Sequence, residues 1–152
     1  MRLHEVIDSR THVHLVMELC SGTNLYHILK KRKPDQRLPE PLAAQIFKKI
    51  VSAVAYMHER SIVHRDLKLD NVLIDQKGDE FIVKLIDFGF ATKCNKDEKL
   101  NSKCGTPQYM DPDLTKHNAY LGQAADNWAL GVILFIMVTG KLPFFGEFET
   151  DL

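Results

Sequence analysis

Apolar side chains recur at every second position near the start of the chain. In the stretch Thr11–Leu19, HVHLVMEL follows the threonine, and the recurring apolar positions are Val13, Leu15, Met17 and Leu19. A period of two residues is typical of a β-strand with one face against a core. Ser21 and Gly22 interrupt the pattern, so the sequence predicts a half-buried strand that ends before residue 21.

Two helices are predicted after this strand. The first begins at Asn24 and is short, and its basic end at Lys30–Lys33 suits the negative pole of a helix C-terminus. The second begins between Pro39 and Pro41 and runs to about Glu59. Apolar residues of the second helix follow i+3 and i+4 spacing, which predicts one buried face: Leu42, Ile46, Ile50, Val54 and Met57.

The centre of the chain predicts two short strands and a long loop. NVLI at residues 71–74 and FIVKLI at residues 81–86 have strand composition, with a hairpin loop at Asp75–Glu80 that contains Gly78. Residues 93–123 are polar with scattered proline and glycine, which indicates one long functional loop.

The last predicted element is a helix that is apolar on every face, at Asn127–Val138. Such a helix in a soluble protein must be surrounded on all sides. The 14 residues that follow it are too few to form the missing wall. We therefore expect the chain to be part of a larger domain, or to bind something that covers this helix. Its apolar run, Trp128–Val138, is shorter than the roughly 20 residues that span a bilayer.

Composition narrows the class of protein only a little. The chain has 152 residues, with 20 Lys and Arg against 20 Asp and Glu, so no excess of positive charge points to a nucleic-acid partner. Cys20, Cys94 and Cys104 are too few and too scattered for a disulfide framework or a structural zinc site. The start carries no signal-peptide pattern. We expect no nucleic-acid and no membrane partner, and a cytoplasmic location with the nucleus as the alternative.

Four polar residues suggest phosphate chemistry. Asp66, Asn71 and Asp87 offer hard oxygen ligands of the kind that magnesium, Mg²⁺, prefers. Lys68, beside Asp66, is able to hold a phosphate oxygen as a point charge. One of the carboxylates could orient a hydroxyl nucleophile and accept its proton. Phosphoryl transfer requires these roles, because it depends mainly on positioning and charge neutralisation.

Several motifs, in order, resemble eukaryotic protein kinase catalytic domains. HRDLKLDN followed by DFG resembles the catalytic and metal-binding loops, and HLVMELCSG resembles the strand and hinge that hold adenine. CGTPQYMDPD resembles the end of the activation segment, and DNWALGVILFIMVTGKLPF resembles the buried central helix of the lower lobe. The finer similarity is to the calcium/calmodulin-dependent and AMP-activated kinase group.

The resemblance implies an α+β, protein kinase-like fold and a division of the chain. Residues 1–152 correspond to a partial kinase domain, with residues 1–19 as the last upper-lobe strands and the start of the hinge. Residues 20–152 then correspond to the mostly helical lower lobe, up to its central buried helix. The implied cofactors are ATP and Mg²⁺, and the implied partner is a protein substrate, with regulatory partner domains outside these residues.

Catalytic roles also follow from the resemblance. Asp66 is expected to be the catalytic base that orients the substrate hydroxyl. Lys68 is expected to neutralise the transferred phosphoryl group and is the form seen in Ser/Thr kinases. Thr106 is expected to reach the catalytic loop. Asn71 and Asp87 are the expected Mg²⁺ ligands, and Asp87 thereby also contributes to nucleotide binding.

The nucleotide pocket and the regulatory site are implied in the same way. Arg65 marks the subtype whose catalytic loop reads phosphorylation of the activation segment, and Ser102 occupies the matching phosphosite. The residues implied around adenine and ribose are the gatekeeper Met17, hinge residues Glu18 and Cys20, Leu73 on the pocket floor, and Asn24 near the ribose.

Structural roles are expected for several other residues. His64 is interpreted as a packed histidine in a stack with Phe88 and Leu3, and Asp126 as an anchor of the catalytic-loop backbone. Cys104 is interpreted as small packing, and Lys30–Lys33 as a solvated face.

The chain departs from the family pattern in three places. Asn24 replaces a frequent acidic residue, which weakens the expectation that an arginine upstream of the target is preferred, although Asp70 keeps an acidic group nearby. Asp113 in MDPD replaces a glutamate whose arginine partner is expected beyond residue 152. No Gly-x-Gly-x-x-Gly loop and no Val-Ala-Ile-Lys-type strand occur in the sequence. We therefore expect these 152 residues alone to have little or no kinase activity.

Three functions remain to be compared. The first is a Ser/Thr protein kinase that transfers the γ-phosphate of ATP to protein hydroxyls. The second is a non-catalytic kinase-like binding or regulatory module, which the uncovered apolar helix favours. The third, a small-molecule phosphotransferase, is disfavoured by GTPQY, because such an enzyme has no protein substrate for that segment to receive.

Overall fold

A computed structural model describes residues 2–78, 80–116 and 119–144 of the chain. The architecture is α+β, as predicted, with nine short strands, four α-helices and two 3₁₀ helices in this part of the chain. The strands are β1 Leu3–Asp8, β2 Val13–Met17, β3 Thr23–Asn24, β4 Ile62–Val63, β5 Val72–Lys77, β6 Glu80–Leu85, β7 Thr92–Lys93, β8 Lys99–Leu100 and β9 Tyr120–Leu121. The α-helices are α1 Leu25–Lys30, α2 Glu40–His58, α3 Pro112–Lys116 and α4 Gly122–Thr139, and the 3₁₀ helices are Leu69–Asn71 and Pro107–Tyr109.

The first two strands form an antiparallel hairpin that is exposed on both faces. The predicted strand is present as β2, which pairs with β1, but the prediction that it is half-buried is wrong. Val13 is 63% exposed and Leu19, just beyond the strand, is 95% exposed. Among the described residues, the hairpin has no layer that covers its apolar positions. The alternation therefore identified a strand with a face suited to burial, without specifying what covers it.

Helix α1 begins at Leu25, one residue after the predicted start, and Asn24 is its N-cap. Asn24 has extended backbone angles, and its Oδ1 accepts a hydrogen bond of 2.9 Å from the His27 N–H. An asparagine in this position satisfies a backbone donor that the helix leaves unpaired. The helix buries Leu25 and Leu29, while Lys30–Lys33 are exposed as predicted.

Removal of this cap should destabilise helix α1 and the fold that depends on it. We expect Asn24→Ala in the natural full-length protein to lower the free energy of unfolding by about 1 kcal/mol, because the His27 N–H loses its acceptor. Chemical denaturation measures the change. Asn24→Ser keeps an acceptor oxygen and should retain most of the stability. Equal losses for the two variants would show that the hydrogen bond is not the cause.

Helices α2 and α4 pack together as the centre of the core. Ile46, Ile50, Val54 and Met57 of α2 are buried, as the periodicity predicted, and Leu42 is partly buried against them. Facing residues of α4 are buried in the same cluster: Ala129, Val132, Ile133, Ile136 and Met137. This pair of helices supports the predicted catalytic loop, residues 64–71.

One face of α4 stays open among the described residues. Phe135 is 42% exposed, and Trp128 stacks on Phe144 with ring centroids 5.4 Å apart. The helix is thus as apolar as predicted but is not surrounded on all sides in this part of the chain. The whole helix, Gly122–Thr139, is longer than its apolar run. By length and composition alone it could span a membrane, and 50% of this stretch is buried. Core helices of soluble proteins pass the same test, and α4 packs on α2 as a core helix does.

Strands β5 and β6 form a hairpin longer than predicted. Six residue pairs join them, from Val72 opposite Leu85 to Lys77 opposite Glu80, and β3 adds a third strand beside β5. The predicted loop Asp75–Glu80 is therefore wrong in extent, because polar residues at its two ends continue the ladder. Gly78 lies in the turn with φ +61°, a conformation that glycine adopts without strain. Asp79, also in the predicted loop, lies outside the described residues.

Residues 93–123 are not one long loop. They contain β8, a 3₁₀ helix, α3 and β9, and the end of β7 begins them. β7 pairs with β4, which ties the start of the segment to the strand just before His64, whereas β8 pairs with β9 within the segment itself. The strands here are two residues long, which is too short for any periodic pattern to show in the sequence.

Candidate active site

The side chains of Asp66, Lys68 and Thr106 form a compact polar cluster, which joins the predicted catalytic loop to the segment around Gly105. Lys68 Nζ lies 2.8 Å from Asp66 Oδ2 and donates a hydrogen bond of 2.9 Å to Thr106 Oγ1. The Thr106 hydroxyl in turn donates to Asp66 Oδ1 at 2.7 Å. Asp66 is only 5% exposed, so charge and hydrogen bonds act here with limited screening by water. The structure thus brings together three of the residues that the sequence predicted to be catalytic.

The backbone around Gly105 makes this cluster possible. Gly105 has φ +121°, and a Cβ there would lie 2.7 Å from the carbonyl oxygen of Arg65. Only glycine allows so close an approach of the two backbones. The contact sets Thr106 against the catalytic loop, which explains how a residue 40 positions from Asp66 bonds to it.

Asn71 belongs to the same cluster through its amide group. Its Nδ2 donates to the Asp66 carbonyl at 2.9 Å and lies 3.3 Å from Asp66 Oδ2. Because the amide nitrogen is used in this way, the amide oxygen is the side-chain atom of Asn71 that a metal would contact. The short 3₁₀ helix Leu69–Asn71 and the start of β5 fix the position of this residue.

Asp87 lies at the same end of the β5–β6 hairpin as Asn71. The Ile86 N–H donates to the Asn71 carbonyl at 3.0 Å, directly after β6 ends. Asp87 itself is exposed and has φ +61°, and the Gly89 N–H lies 3.3 Å from its Oδ1. An amide oxygen and an exposed carboxylate at one strand edge are a donor set that fits Mg²⁺. Among the described residues, no group of three or more His, Cys, Asp or Glu side chains could hold a metal by itself, so phosphate oxygens or water would complete such a site.

Asp126 holds the catalytic loop from below, as predicted. Its Oδ2 accepts from the His64 N–H and its Oδ1 from the Arg65 N–H, both at 2.9 Å. His58 Nε2 lies 2.8 Å from Oδ2. The carboxylate is 1% exposed, and it connects α4, the end of α2 and the catalytic loop. Arg65 has φ +68°, so the loop has an uncommon backbone conformation at the residue that Asp126 binds.

His64 is a packed residue, as interpreted from the sequence. It is fully buried, and its Nδ1 faces the Asp66 N–H at 3.3 Å while its Nε2 lies 3.1 Å from the Ile86 carbonyl. The ring lies 5.1 Å from that of Phe88, centroid to centroid. The stack thus joins the catalytic loop to the segment at Asp87. Leu3, the third predicted member, is in β1 and is half exposed.

The predicted hinge is tied to strand β6 by an ion pair. Glu18 Oε2 lies 2.9 Å from Lys84 Nζ in β6, and Glu18 Oε1 accepts from the Arg2 N–H at 2.8 Å. The hydrogen bond from Lys84 is the main reason why the pKa of Glu18 falls to about 2. Cys20 is half-buried close by, with its thiol 3.9 Å from the Glu18 carbonyl. No local pattern indicates this pair, because 66 positions separate the two residues.

Three further residues of the predicted nucleotide pocket lie near the hinge. Asn24 and Leu73 are directly opposite each other in the β3–β5 pairing, so the structure places these two predicted residues side by side. Met17 ends β2 and is exposed. The side chain of Asn24 is committed to capping α1, a role that its spacing before a helix could have indicated.

The predicted regulatory pair is linked through a residue that sequence reasoning missed. Arg65 Nε donates to the Phe90 carbonyl at 2.6 Å, and Ser102 is exposed. Between them lies Tyr120, whose hydroxyl donates to the Ser102 carbonyl at 3.0 Å. Burial is the main cause that raises the pKa of Tyr120, and the nearby Arg65 side chain opposes the shift.

An open cavity of about 540 Å³ borders the cluster. Lys68 and Thr106 form part of its wall, together with Tyr26 and Asp70. Tyr109 lines it as well, and burial is the main cause that raises the pKa of this phenol to about 12, so the hydroxyl remains neutral. The cavity therefore lies next to the two side chains that bond to Asp66.

Comparison with known families agrees with this geometry. The family model described as protein kinase domain matches residues 1–152. The chain is 43% identical over 147 residues to CBL-interacting protein kinase 4 of Oryza sativa subsp. japonica, which is 95% of the chain and 32% of that protein.

Two animal proteins show a similar relation. Sperm motility kinase 3A of Mus musculus is 44% identical over 142 residues, 93% of the chain and 27% of that protein. NUAK family SNF1-like kinase 2 of Rattus norvegicus is 40% identical over 145 residues, 95% of the chain and 22% of that protein. The chain therefore spans less than a third of the length of these curated relatives.

Proposed function

The chain belongs to the protein kinase domain family, and we propose that it supplies the catalytic loop of a Ser/Thr protein kinase. That enzyme would transfer the γ-phosphate of ATP to Ser or Thr hydroxyls of a protein substrate. The observation that carries the proposal is the cluster of Asp66, Lys68 and Thr106, with Asn71 bonded to the same aspartate. The names of the relatives, all of them kinases, agree with it.

Asp66 is proposed to orient the substrate hydroxyl and to accept its proton. A carboxylate needs an oxygen lone pair aimed at the nucleophile for this role. Lys68 and Thr106 fix the carboxylate from two sides, so that little reorganisation is needed when the hydroxyl arrives. Lys68, whose ammonium lies 2.8 Å from Asp66, is also proposed to neutralise charge on the transferred phosphoryl group.

Asn71 and Asp87 are proposed to hold Mg²⁺ with the phosphates of ATP. Bound there, the ion would neutralise charge on the phosphate oxygens. The contribution of this chain is to place an amide oxygen and a carboxylate at one end of the β5–β6 hairpin, through the bond from Ile86 to Asn71.

The adenine is proposed to lie against the hinge. Backbone groups of Glu18 and Cys20 would bind its edge, with Met17 behind it and Leu73 below. Asn24 would lie near the ribose, although its Oδ1 already accepts from His27. The ion pair of Glu18 with Lys84 supports this arrangement, because it fixes the hinge residue on the sheet that carries Leu73.

Regulation and location are also proposals. Phosphorylation of Ser102 would bring a dianion near Arg65 and order the segment between them. Residues 1–19 are proposed to correspond to upper-lobe strands and hinge, and residues 20–152 to the lower lobe, in a cytoplasmic or nuclear protein. Regulatory domains outside these residues would complete it. The 152 residues alone are proposed to be inactive, because the sequence contains no glycine-rich loop to clamp the phosphates.

The second candidate is a non-catalytic kinase-like binding module. The half-exposed Phe135 and the open face of Trp128 and Phe144 favour it, since exposed apolar patches mark interaction sites. This candidate predicts a stable complex without phosphate transfer.

One assay separates the two functions. The natural full-length protein is incubated with magnesium, γ-labelled ATP and a library of Ser/Thr peptides, with the matching Ala peptides as controls. Transfer of label to hydroxyl-bearing peptides alone supports the kinase. The absence of transfer to every peptide, from protein with an intact nucleotide-binding region, would reject it in favour of the binding module.

Thr106 provides a specific test of the cluster. We expect Thr106→Val in the natural protein to lower kcat by about ten- to a hundredfold, because hydrogen bonds to both charged partners are lost at nearly constant volume. Thr106→Ser keeps the hydroxyl and should retain most of the activity. Peptide kinetics at saturating ATP make the comparison. Equal rates for the Val and Ser variants would remove the hydroxyl from the mechanism.

A further inference from the structure

Tyr120 occupies an unusual place for a tyrosine. It is 4% exposed and packs with Leu114 and Ala125 in a small core beneath the segment that follows Asp87. Its strand, β9, pairs with β8, where Leu100 is directly opposite it. A phenylalanine would fill this core equally well, so packing alone gives no reason for the hydroxyl.

The hydroxyl connects two distant parts of the chain. It donates to the Ser102 carbonyl at 3.0 Å, and the Arg65 side chain lies close enough to the phenol to oppose the rise of its pKa. Arg65 is itself oriented, because its Nε donates to the Phe90 carbonyl at 2.6 Å and its N–H to Asp126. One phenol thus holds the backbone of residue 102 and lies close to Arg65.

The side chain of Ser102 is left available by this arrangement. Residue 102 is exposed, and within the described ranges its hydroxyl makes no hydrogen bond, whereas its carbonyl is held. The backbone is therefore anchored close to Arg65 while the hydroxyl stays open to modification. A group added to this oxygen needs less ordering of the chain to meet the guanidinium than a group on a free loop does.

We propose that Tyr120 is a positioning residue that holds residue 102 beside Arg65, so that a phosphate on Ser102 engages the guanidinium of a preorganised loop. The proposal rests on the proposed function in taking Ser102 as the site of phosphorylation. It adds a residue that touches neither nucleotide nor substrate and acts only through the segment it anchors. The hydroxyl, and not the ring, is the part that matters.

The test uses Tyr120→Phe in the natural full-length protein, prepared with phosphoserine at position 102. The same change is made in a Ser102→Ala background as the matched control. Peptide phosphorylation is measured with kcat and KM resolved. Amide hydrogen exchange over residues 99–104 is measured with and without the phosphate, and the β5–β6 hairpin serves as the internal reference.

We expect a loss that depends on the phosphate. In the phosphorylated protein Tyr120→Phe should lower kcat/KM by roughly two- to tenfold, the range that one neutral hydrogen bond gives. In the Ser102→Ala background the same change should alter it by less than about twofold. The phosphate should slow exchange over residues 99–104, and it should slow it less in the Phe variant. Equal losses of activity in the two backgrounds would overturn the proposal, because they would show a purely structural role.

The exchange measurement separates two kinds of failure. If the natural protein transfers no phosphate to any peptide, the proposed function fails, but the exchange comparison still decides the role of Tyr120. If the phosphate slows exchange equally in the Tyr120 protein and in the Phe variant, the positioning role is wrong, whether or not the protein is an active kinase.

Discussion

Replacement of Asp66 by Asn is expected to lower the rate of phosphate transfer by roughly a hundred- to ten-thousandfold in the natural protein. The change removes the carboxylate that would accept the proton of the substrate hydroxyl, and it keeps the size of the side chain. It also leaves Lys68 without its charged partner at 2.8 Å. Steady-state kinetics with a peptide substrate measure the loss, which should lie in kcat more than in KM for ATP.

Asp70 provides the matched control for this variant. It lies four residues further along the same loop, is exposed, and lines the cavity beside the cluster without a bond to Lys68 or Thr106. Asp70→Asn should keep kcat within a few-fold and should change peptide affinity instead. If Asp66→Asn retained near-natural kcat while Asp70→Asn lost it, the proposed base would be wrongly assigned.

Removal of the Asp126 carboxylate should have the largest effect on stability. Asp126→Ala would leave the buried N–H of His64 and the part-buried N–H of Arg65 without their acceptors, and it would remove the partner of His58. A broken buried network of this kind costs about 3–5 kcal/mol, a large part of the stability of an ordinary domain. The natural protein should therefore unfold at markedly lower denaturant concentration, or fail to accumulate when expressed.

A graded series makes this prediction decisive. Asp126→Asn keeps one acceptor oxygen and should lie between the natural protein and the Ala variant. Asp97→Ala removes an exposed carboxylate and should change the free energy of unfolding by no more than about 0.5 kcal/mol. A loss below 1 kcal/mol for Asp126→Ala would mean that the loop conformation at Arg65 does not depend on this carboxylate.

Patterns that are local in sequence predicted the lower part of the fold well. The buried face of α2 follows from its i+3 and i+4 spacing, and the start of α1 follows from Asn24. The catalytic cluster followed from motif order, and the structure brings Asp66, Lys68, Asn71 and Thr106 together. These features are encoded within a few residues or in the order of motifs, and they can therefore be predicted from the sequence.

The features that were missed depend on distant residues. One such feature is the hydrogen bond between Glu18 and Lys84, and another is the one from Tyr120 to the Ser102 carbonyl. Both join positions that are far apart, and no local pattern marks either pair. The exposure of Val13 and Leu15 was mispredicted for a related reason. Alternation shows that one face of a strand suits burial, whereas burial itself depends on which other element covers that face.

In the β5–β6 hairpin, the turn lies far from the end that carries the candidate metal ligands. Asn71 and Asp87 lie where the hairpin opens, whereas Gly78 lies at the closed end, six residue pairs away. At a rise of about 3.3 Å per residue, the five steps along β5 from Val72 to Lys77 span roughly 17 Å. Apart from Gly78 and its two chain neighbours, no described residue has an atom within 4 Å of the position that a Cβ of Gly78 would occupy. The turn is therefore a suitable place to insert a short reporter, such as a fluorophore-binding tag, from which the end that carries Asn71 and Asp87 could be observed without altering it.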